Sequence, residues 1–276
     1  MNLQPPRMGC FGLRKSTPTV AVITIKGTIG KSVTFKKMKP RIDKAFSTRN
    51  LSAVCLVVDS GGGSPAQSEL IARYLAASTR RSGVPLFAFA EDSAASGGYL
   101  IACAASKVFV SSYSMVGSIG AVATVFCASD LLARLGIRPV VVTAGERKAA
   151  GHPMVPPSAA QLEDLQQLAD DLHLQFISWV VQQRGDRLPL TSHQDAFSGA
   201  TFCGTRAVDL GLADATYNVM EETVAALLQE QQLRFAWIHS KFSYWRSCKR
   251  LVEWRGAGVR RDVMEAILST IPHHLS

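Results

Sequence analysis

The sequence predicts a single α/β domain in which helices flank a mostly parallel β-sheet. The chain has 276 residues, of which 47% are hydrophobic and 18% charged, so it can bury a sizeable core. The apolar, β-branched run AVCLVVD is typical of a central parallel strand. Strand patterns alternate with helical patterns along the chain, which predicts βαβ units and hence a parallel sheet.

The first third of the chain supplies two strands and two helices. TVAVITI at 19–25 is typical of a buried strand, and the basic residues 36–49 suit an exposed helix. After the AVCLVVD strand, Ser64 and Pro65 occupy the N-cap and first positions of a second helix. Gln67, three residues after Ser64, completes a capping-box pattern.

The middle of the chain continues the alternation of strands and helices. PLFAFA at 85–90 predicts a strand, and the residues after Ser96 predict an alanine-rich helix to about Ala105. Two further strands are expected near 120–125 and 139–142. The uncharged stretch that contains the first of them holds Ser, Thr and Gly, so strands and turns explain it better than a membrane span.

A long helix is predicted to begin after Ser158 and to continue to Gly185. Gln161 again stands three residues after the N-cap position, and helical spacing relates the apolar residues Leu162, Leu165, Leu172, Phe176 and Val180. The six cysteines have no CxxC or metal-ligand spacing, so we expect reduced thiols and no metal site.

The two ends of the chain are basic and its middle is acidic. The first fifty residues contain eleven Lys and Arg against one Asp. We divide the chain into a basic segment 1–18, a domain 19–220, and a basic helical extension 221–276. The basic ends either face solvent or contact an anionic membrane surface, and the sequence leaves both possibilities open. No nucleic-acid-binding module or secretory signal is recognisable, so nucleic acid is not expected and the compartment is left open.

Two glycine-containing segments are candidates for catalysis. Ser96 stands before a glycine pair at a strand-to-helix turn, a pattern related to the nucleophile elbow and also found at plain helix caps. SGGGS at 60–64 follows a strand and can direct several backbone N–H groups to one point. The segment lacks the Lys of a phosphate-binding P-loop and the GxGxxG spacing, so an oxyanion hole is favoured over a nucleotide site.

A nucleophilic serine needs a base, and the sequence offers a lysine. None of the six histidines has an Asp partner in a familiar triad order. Lys148 lies among small residues just beyond a predicted strand. Its pKa would have to fall by roughly 3 from about 10.4 to accept a proton near neutrality, which desolvation can achieve.

Together these segments resemble the signal peptide peptidase A family, serine peptidases of the Clp-protease/crotonase-like fold. The similarity covers about residues 19–216 and rests on five motifs in order: VAVITIKGTI, VVDSGGGSPAQSELI, AEDSAASGGYLIACAASKVFVSSYSMVGSIGAV, LGIRPVVVTAGERKAAGHPM and FSGATFCGTRAVDLGLAD. Gly61 stands where the family usually has Pro, and Ser64 where Gly is frequent. Neither departure removes a catalytic atom.

The resemblance implies a role for each candidate residue. Ser96 is the nucleophile, Lys148 the general base, and Ser118 in GSIG the residue that orients the lysine. The oxyanion is held by backbone N–H groups of glycines, namely Gly62 or Gly63 together with Gly97. Peptide-bond hydrolysis through an acyl-enzyme follows, with no cofactor.

The resemblance also implies the partners. The substrates are unfolded or apolar peptides similar to signal peptides, and the protein is a homo-oligomer in which neighbouring subunits share active sites. Two alternatives remain open at the level of sequence: a catalytically silent oligomeric scaffold of the same fold, and a crotonase-type acyl-CoA enzyme.

Overall fold

The structure is a computed structural model that describes residues 17–145, 148 and 151–239 and the backbone of 252–255. Within these residues nine strands form one sheet. The strands are β1 (Thr19–Lys26), β2 (Leu51–Ser60), β3 (Leu86–Ala95), β4 (Lys107–Val110), β5 (Met115–Gly117), β6 (Thr201–Cys203), β7 (Ala215–Thr216), β8 (Gln232–Ile238) and β9 (Val252–Arg255).

The sheet is mostly parallel, as the sequence predicts. Its order is β6-β5-β3-β2-β1-β8-β9, and β4 pairs with β3 and β7 at one side. Only the pairs β5–β6 and β8–β9 are antiparallel among the described strands. β1 and β2 are almost entirely buried because helices cover both faces of the sheet, which explains their continuous apolar sequences.

The described residues contain eight α-helices: α1 (Phe35–Phe46), α2 (Pro65–Ser82), α3 (Gly97–Ala102), α4 (Ser129–Arg134), α5 (Ala159–Arg184), α6 (His193–Ala196), α7 (Gly204–Asp209) and α8 (Met220–Leu228). Residues of α1, α2, α3 and α5 pack into one core on one face of the sheet. α8 covers the other face, where Val224 and Phe235 belong to a second core. The predicted mixed α/β domain with flanking helices is thus confirmed.

The two predicted capping boxes have different outcomes. At α5 the Ser158 side chain accepts the Gln161 N–H and the Gln161 side chain accepts the Ser158 N–H, as predicted. At α2 Ser64 accepts the Gln67 N–H, but the Gln67 side chain instead accepts the Phe35 N–H at 2.8 Å. Gln67 therefore links the starts of α1 and α2, and the predicted capping box of α2 is incomplete.

The strands expected near 120–125 and 139–142 are absent, and residues 118–128 and 138–145 contain neither helix nor strand. Val122, Val140 and Val142 are 90%, 88% and 91% exposed, so nothing in the described part of this chain covers them. The two short strands β4 and β5 occur just before this region instead. Apolar β-branched sequence was the basis of the prediction, and such sequence also suits residues that another chain covers.

The sheet continues beyond residue 220, where the predicted domain ends. Residues 220–228 form a helix, as expected, but β8 pairs with β1 in parallel and is therefore part of the sheet. Most of the remainder of the predicted extension, and residues 1–16 of the basic N-terminal segment, lie outside the described residues. Within the described residues, no helix has the length and apolarity needed to cross a bilayer. Cys55, Cys103, Cys127 and Cys203 are free thiols, as expected.

Candidate active site

The candidate residues gather where three parallel strands end at the same edge of the sheet. Ser60 pairs with Ala94 in the β2–β3 register, and Ala95 pairs with Gly117 in the β3–β5 register. The chain turns away from the sheet directly after each of these pairs. The register therefore brings the glycine loop 61–63, Ser96 and Ser118 to neighbouring positions.

Ser96 has a strained backbone at the strand-to-helix turn. Its φ is 51° and its ψ is −124°, in a region that non-glycine residues rarely adopt. Its N–H donates to the Gly117 carbonyl at 2.8 Å, so that group is not free to bind a ligand. The half-buried hydroxyl has no hydrogen-bond partner among the described residues.

The two glycines after Ser96 permit close packing against the glycine loop and α2. A Cβ atom on Gly97 would lie 2.3 Å from Ser68 Oγ, and one on Gly98 would lie 2.5 Å from the Ser60 carbonyl oxygen. Because real Cβ atoms do not approach other atoms so closely, these positions require glycine. The SGG sequence therefore serves packing as well as access to the Ser96 hydroxyl.

The glycine loop has its own fixed hydrogen bonds. Ile29 donates to the Gly62 carbonyl at 2.9 Å and accepts the Ser64 N–H at 3.0 Å. In this parallel bridge both bonds of Ile29 involve the neighbours of Gly63, so the Gly63 N–H faces away from Ile29. The Gly62 N–H donates to Ser60 Oγ at 3.2 Å. Of the two loop donors that the sequence left open, the geometry therefore favours Gly63.

A cavity of about 450 Å³ opens beside Ser96 between α2 and α5. Gly63, Ser96 and Gly97 line one end of it. Gly97 is the first residue of α3, so its N–H has no partner within the helix. The walls are mainly apolar, with Leu100, Phe176 and Trp179 among them. The cavity thus has the shape and lining to receive an apolar side chain next to a serine hydroxyl.

Charged groups occur at the rim of this cavity. Arg73 forms an ion pair of 2.7 Å with Glu69 on the same helix. Its guanidinium also lies 5.5 Å from the centre of the Trp179 ring, within the range of a cation–π contact. The contact between Arg73 and Trp179 connects α2 to α5 beside the cavity.

Ser118 lies next to the residue that binds Ser96. It has a φ of 51°, and its N–H donates to the Ala200 carbonyl at 2.7 Å. Gly117, one residue earlier, accepts the Ser96 N–H. The structure therefore brings together five of the six predicted site residues: Ser96, Ser118, Gly62, Gly63 and Gly97.

Lys148 is the sixth predicted residue, and it lies apart from the others. It is exposed, its N–H donates to the Gly145 carbonyl at 3.1 Å, and it does not line the cavity beside Ser96. Among the described residues its side chain makes no hydrogen bond or ion pair. Within the described residues, the predicted nucleophile lies among the glycines and Ser118, and the predicted base neither bonds to it nor lines its cavity.

A buried ion pair lies beside α3, the helix that begins directly after Ser96. Arg184, whose side chain is 1% exposed, bonds to Asp214 at 2.7 Å, and Asp214 also accepts the Val108 N–H at 2.7 Å. Burial acts to raise the pKa of Asp214, but Arg184 and the Val108 N–H outweigh it and hold that pKa below its usual value. Next to this pair, the Tyr99 hydroxyl of α3 donates to the Leu212 carbonyl at 2.7 Å.

Several residues of the site were missed by sequence reasoning. The sequence places Phe176 only on the apolar side of a long helix, and the structure shows that this side also forms a wall of the cavity. No sequence pattern predicts the contact between Arg73 and Trp179, because the two residues lie on different helices far apart in the sequence. Among the described residues no cluster of His, Cys, Asp and Glu could hold a metal ion.

Comparison with known proteins places these features in a family context. The profile of peptidase family S49 matches residues 78–234, more than half of the chain. A Brucella melitensis protein named as the Na⁺/H⁺ antiporter NhaA is 38% identical over 173 residues, which are 63% of this chain and 23% of that protein. A protein of Enterococcus faecium named "Putative signal peptide peptidase SppA" is 25% identical, over 76% of this chain and 64% of its own length.

A plant protein and a solved structure are also similar to this chain. The chloroplastic serine protease SPPA of Arabidopsis thaliana is 26% identical, over 74% of this chain and 31% of its own length. The chain thus spans less than two thirds of each of these relatives. A mutant of the membrane-bound stomatin-specific protease 1510-N, solved with a substrate peptide, has a TM-score of 0.48 and 14% identity, covering 82% of this chain and 94% of that one.

Proposed function

This chain belongs to peptidase family S49, and from that premise we propose that it is a serine endopeptidase with a Ser96–Lys148 dyad. The observation that carries the proposal is the position of Ser96. Its hydroxyl has no partner among the described residues, its backbone is held in a strained turn, and it lies at the end of an apolar cavity. Strained backbone of this kind is concentrated at functional sites.

The proposed reaction is acyl transfer to Ser96 followed by hydrolysis. Neutral Lys148 takes the Ser96 proton while the oxygen attacks a peptide carbonyl carbon. The N–H groups of Gly63 and Gly97 bind the oxygen of the tetrahedral intermediate, a contribution of about 3–4 kcal/mol for each donor. Lys148 then protonates the leaving amine, and water activated by the same lysine releases the acyl group. Ser118 orients the lysine by a hydrogen bond.

We propose that the lysine reaches Ser96 through assembly of several chains. Lys148 follows a segment whose large apolar side chains lack cover: Val122, Phe126, Val140 and Val142 are each at least 80% exposed. We call residues 121–142 the apolar segment. Burying one such side chain contributes about 1.5–3 kcal/mol, so four of them favour association strongly. A neighbouring copy that covers this segment also excludes water from Lys148, which lowers the pKa of a lysine.

The cavity supports a preference for apolar peptide segments. Leu100, Phe176 and Trp179 offer it an apolar wall, and unfolded apolar peptides expose the side chains that would bury there. One relative is described as a signal peptide peptidase, which agrees with substrates of signal-peptide type.

The test is cleavage of an unfolded protein substrate by the wild type, Ser96→Ala and Lys148→Ala, without ATP or metal. We expect cleavage by the wild type and a loss of about 10⁴-fold or more in both variants. Ser93→Ala is the matched control, because Ser93 is a half-buried serine on β3, the strand that leads to Ser96. Among the described residues its hydroxyl bonds only to the Ser60 carbonyl, at 3.4 Å.

The same experiment separates the alternatives. Equal cleavage by all variants would mean a contaminating protease and would refute the dyad. If the wild type neither cleaves peptides nor reacts at Ser96 with a fluorophosphonate, the catalytically silent scaffold is favoured. Binding of an acyl-CoA to such an inactive protein, measured by calorimetry, would favour the acyl-CoA enzyme.

A further inference from the structure

We propose that Ser60 is a positioning residue for the oxyanion hole, and that its hydroxyl holds the glycine loop with the Gly63 N–H facing Ser96. This inference rests on the proposed function, because it concerns the same reaction. Ser60 is the last residue of β2 and is 2% exposed. It does not line the cavity, so it would act only through the loop.

The Ser60 hydroxyl makes two hydrogen bonds that cross the base of the loop. It donates to the Gly27 carbonyl at 2.7 Å and accepts the Gly62 N–H at 3.2 Å. Gly27 directly follows β1, and its own N–H donates to the Asp59 carbonyl at 2.9 Å. The hydroxyl therefore connects the end of β1 to the start of the glycine loop.

The consequence for Gly63 follows from alternation along the backbone. The Gly62 N–H points inward to Ser60, and the Gly62 carbonyl and the Ser64 N–H point inward to Ile29. With its neighbours fixed on both sides, Gly63 directs its N–H to the opposite side, where the cavity lies. Without the Ser60 hydroxyl, one of these three inward bonds is lost.

The loop has little intrinsic preference for this conformation. Gly62 and Gly63 have φ values of 102° and 141°, and glycine visits such values among many others. Gly61 gives no constraint, since a Cβ atom there would meet nothing within 4 Å. Oxyanion stabilisation depends on donors that are oriented before the reaction begins. A buried hydroxyl that removes loop freedom supplies that orientation.

The test compares Ser60→Ala with Ser114→Ala. Ser114 is also buried, and its hydroxyl also accepts an N–H, that of Ser111 at 2.9 Å. The same hydroxyl lies within donor distance of two carbonyl oxygens, that of Ala90 at 3.0 Å and that of Glu91 at 2.5 Å. Ser114 lies in the turn before β5, away from the glycine loop. Ser114→Ala therefore removes at least as much hydrogen bonding as Ser60→Ala, at a different place in the fold.

We expect Ser60→Ala to lower kcat by about 10- to 100-fold, less than the 10²–10³-fold of a deleted oxyanion donor. KM should stay within about two-fold, because the cavity that binds the peptide is unchanged. Ser114→Ala should keep the wild-type kcat.

A peptide aldehyde and the matching peptide alcohol provide a second measurement. The Ser96 oxygen adds to the aldehyde carbon and the former carbonyl oxygen takes up the hydroxyl proton, so this oxygen occupies the oxyanion position. The alcohol binds the cavity but cannot form that bond. Ser60→Ala should weaken the inhibition constant of the aldehyde by about ten-fold or more and leave that of the alcohol unchanged.

The outcomes separate this inference from the proposed function. A kcat of Ser60→Ala within about two-fold of the wild type, or an equal loss in Ser114→Ala, would overturn the role of Ser60 alone. An inactive wild type that ignores the aldehyde would overturn the proposed function and this inference with it. If Ser60→Ala is too unstable to purify, Ser60→Cys replaces it, because a thiol occupies the same site but is a weak hydrogen-bond donor and acceptor, and the same loss of kcat is expected.

Discussion

The region around Ser96 and the apolar segment differ in how completely one chain builds them. Gly62, Gly97 and Gly98 are buried, and a Cβ atom on any of them would lie under 3 Å from a neighbouring atom. In the apolar segment, by contrast, Val122 and Val142 are 90% and 91% exposed. The predicted nucleophile belongs to the first region, and the predicted base follows the second.

The difference teaches that the two halves of the proposed dyad depend on different interactions. Ser96 is held by strand register and backbone hydrogen bonds within the chain, so it needs no partner to adopt its conformation. Lys148 follows residues whose apolar side chains are exposed in the described part of the chain, and the proposed assembly would cover them. Five predictions test this contrast, and they run from the largest expected effect to the smallest.

The largest effect is expected from mixing two inactive variants. If neighbouring subunits share sites, a mixed assembly of Ser96→Ala and Lys148→Ala contains sites with an intact serine from one chain and an intact lysine from the other. Peptidase activity should then rise from background to a readily measured part of the wild-type level after co-refolding. Activity that stays at background while mass spectrometry shows mixed assemblies would mean that each chain supplies both residues.

Val142→Asp should break the assembly and leave the region around Ser96 folded. A buried, unpaired carboxylate costs about 3 kcal/mol or more, which is roughly a 100-fold loss in the association constant. Light scattering should show smaller species, and peptidase activity should fall with them. Leu190→Asp is the matched control, since Leu190 is 83% exposed but lies outside the apolar segment. Equal effects of both substitutions would count against a specific interface.

Arg184→Met should destabilise the nucleophile half without affecting association. It leaves Asp214 buried without its closest cation, and breaking such a pair costs about 3–5 kcal/mol in the free energy of unfolding. Arg206→Met is the control, because the Arg206–Asp195 pair is exposed and such pairs contribute under about 1 kcal/mol. Urea unfolding would measure both. Similar losses would mean that burial of the Arg184 pair is unimportant.

The same ion pair makes the stability of the folded protein depend on pH, and the direction of that dependence follows from the pKa of Asp214. The pKa of Asp214 is lower in the folded protein than its ordinary value of 3.8, so the folded state favours the ionised form. Its contribution to stability is complete above that ordinary pKa and is lost as the pH falls through the lowered, folded-state pKa. The melting temperature of the wild type should therefore fall more steeply in acid than that of Asp214→Asn.

Gly61→Pro should produce the smallest change, a stabilisation of about 0.4–1 kcal/mol with an unchanged or slightly raised kcat. A Cβ atom at residue 61 would meet nothing within 4 Å, and the φ of Gly61 lies outside the left-handed region. Thermal unfolding with peptidase kinetics would measure it. A large loss of kcat would show that the glycine loop must move during the reaction.

The sequence predicts best those parts of the molecule whose residues are buried by contacts within the described chain. β1, β2 and the start of β3 are buried on both faces, so each is a continuous apolar run in the sequence. Ser64, Pro65 and Ser158 stand at helix starts because caps are local signals. The convergence of SGGGS and Ser96 was also predictable, since both follow parallel strands.

The remainder depends on contacts that leave no local pattern. The apolar segment has the composition of buried strands, but a sequence pattern does not show what covers those residues. β8 alternates buried Leu233 and Phe235 with exposed Gln232 and Arg234. This is a strand pattern, and it lies within the segment predicted to be a helical extension. Nothing in the sequence distinguishes the buried Arg184 from a solvated arginine. Its partner Asp214 is thirty positions away.

The pairing of β8 with β1 has a consequence for how the protein is made. β1 is among the first described segments to leave the ribosome, and its neighbour β8 is among the last. At ordinary rates of translation, on the order of 10 s separate the emergence of the residues around Lys148 from that of β8. During that interval every proposed catalytic residue already exists, but one edge of β1 is unpaired. The nascent chain is then open to chaperones and to aggregation, and a message truncated before residue 232 should yield insoluble protein rather than a partial enzyme.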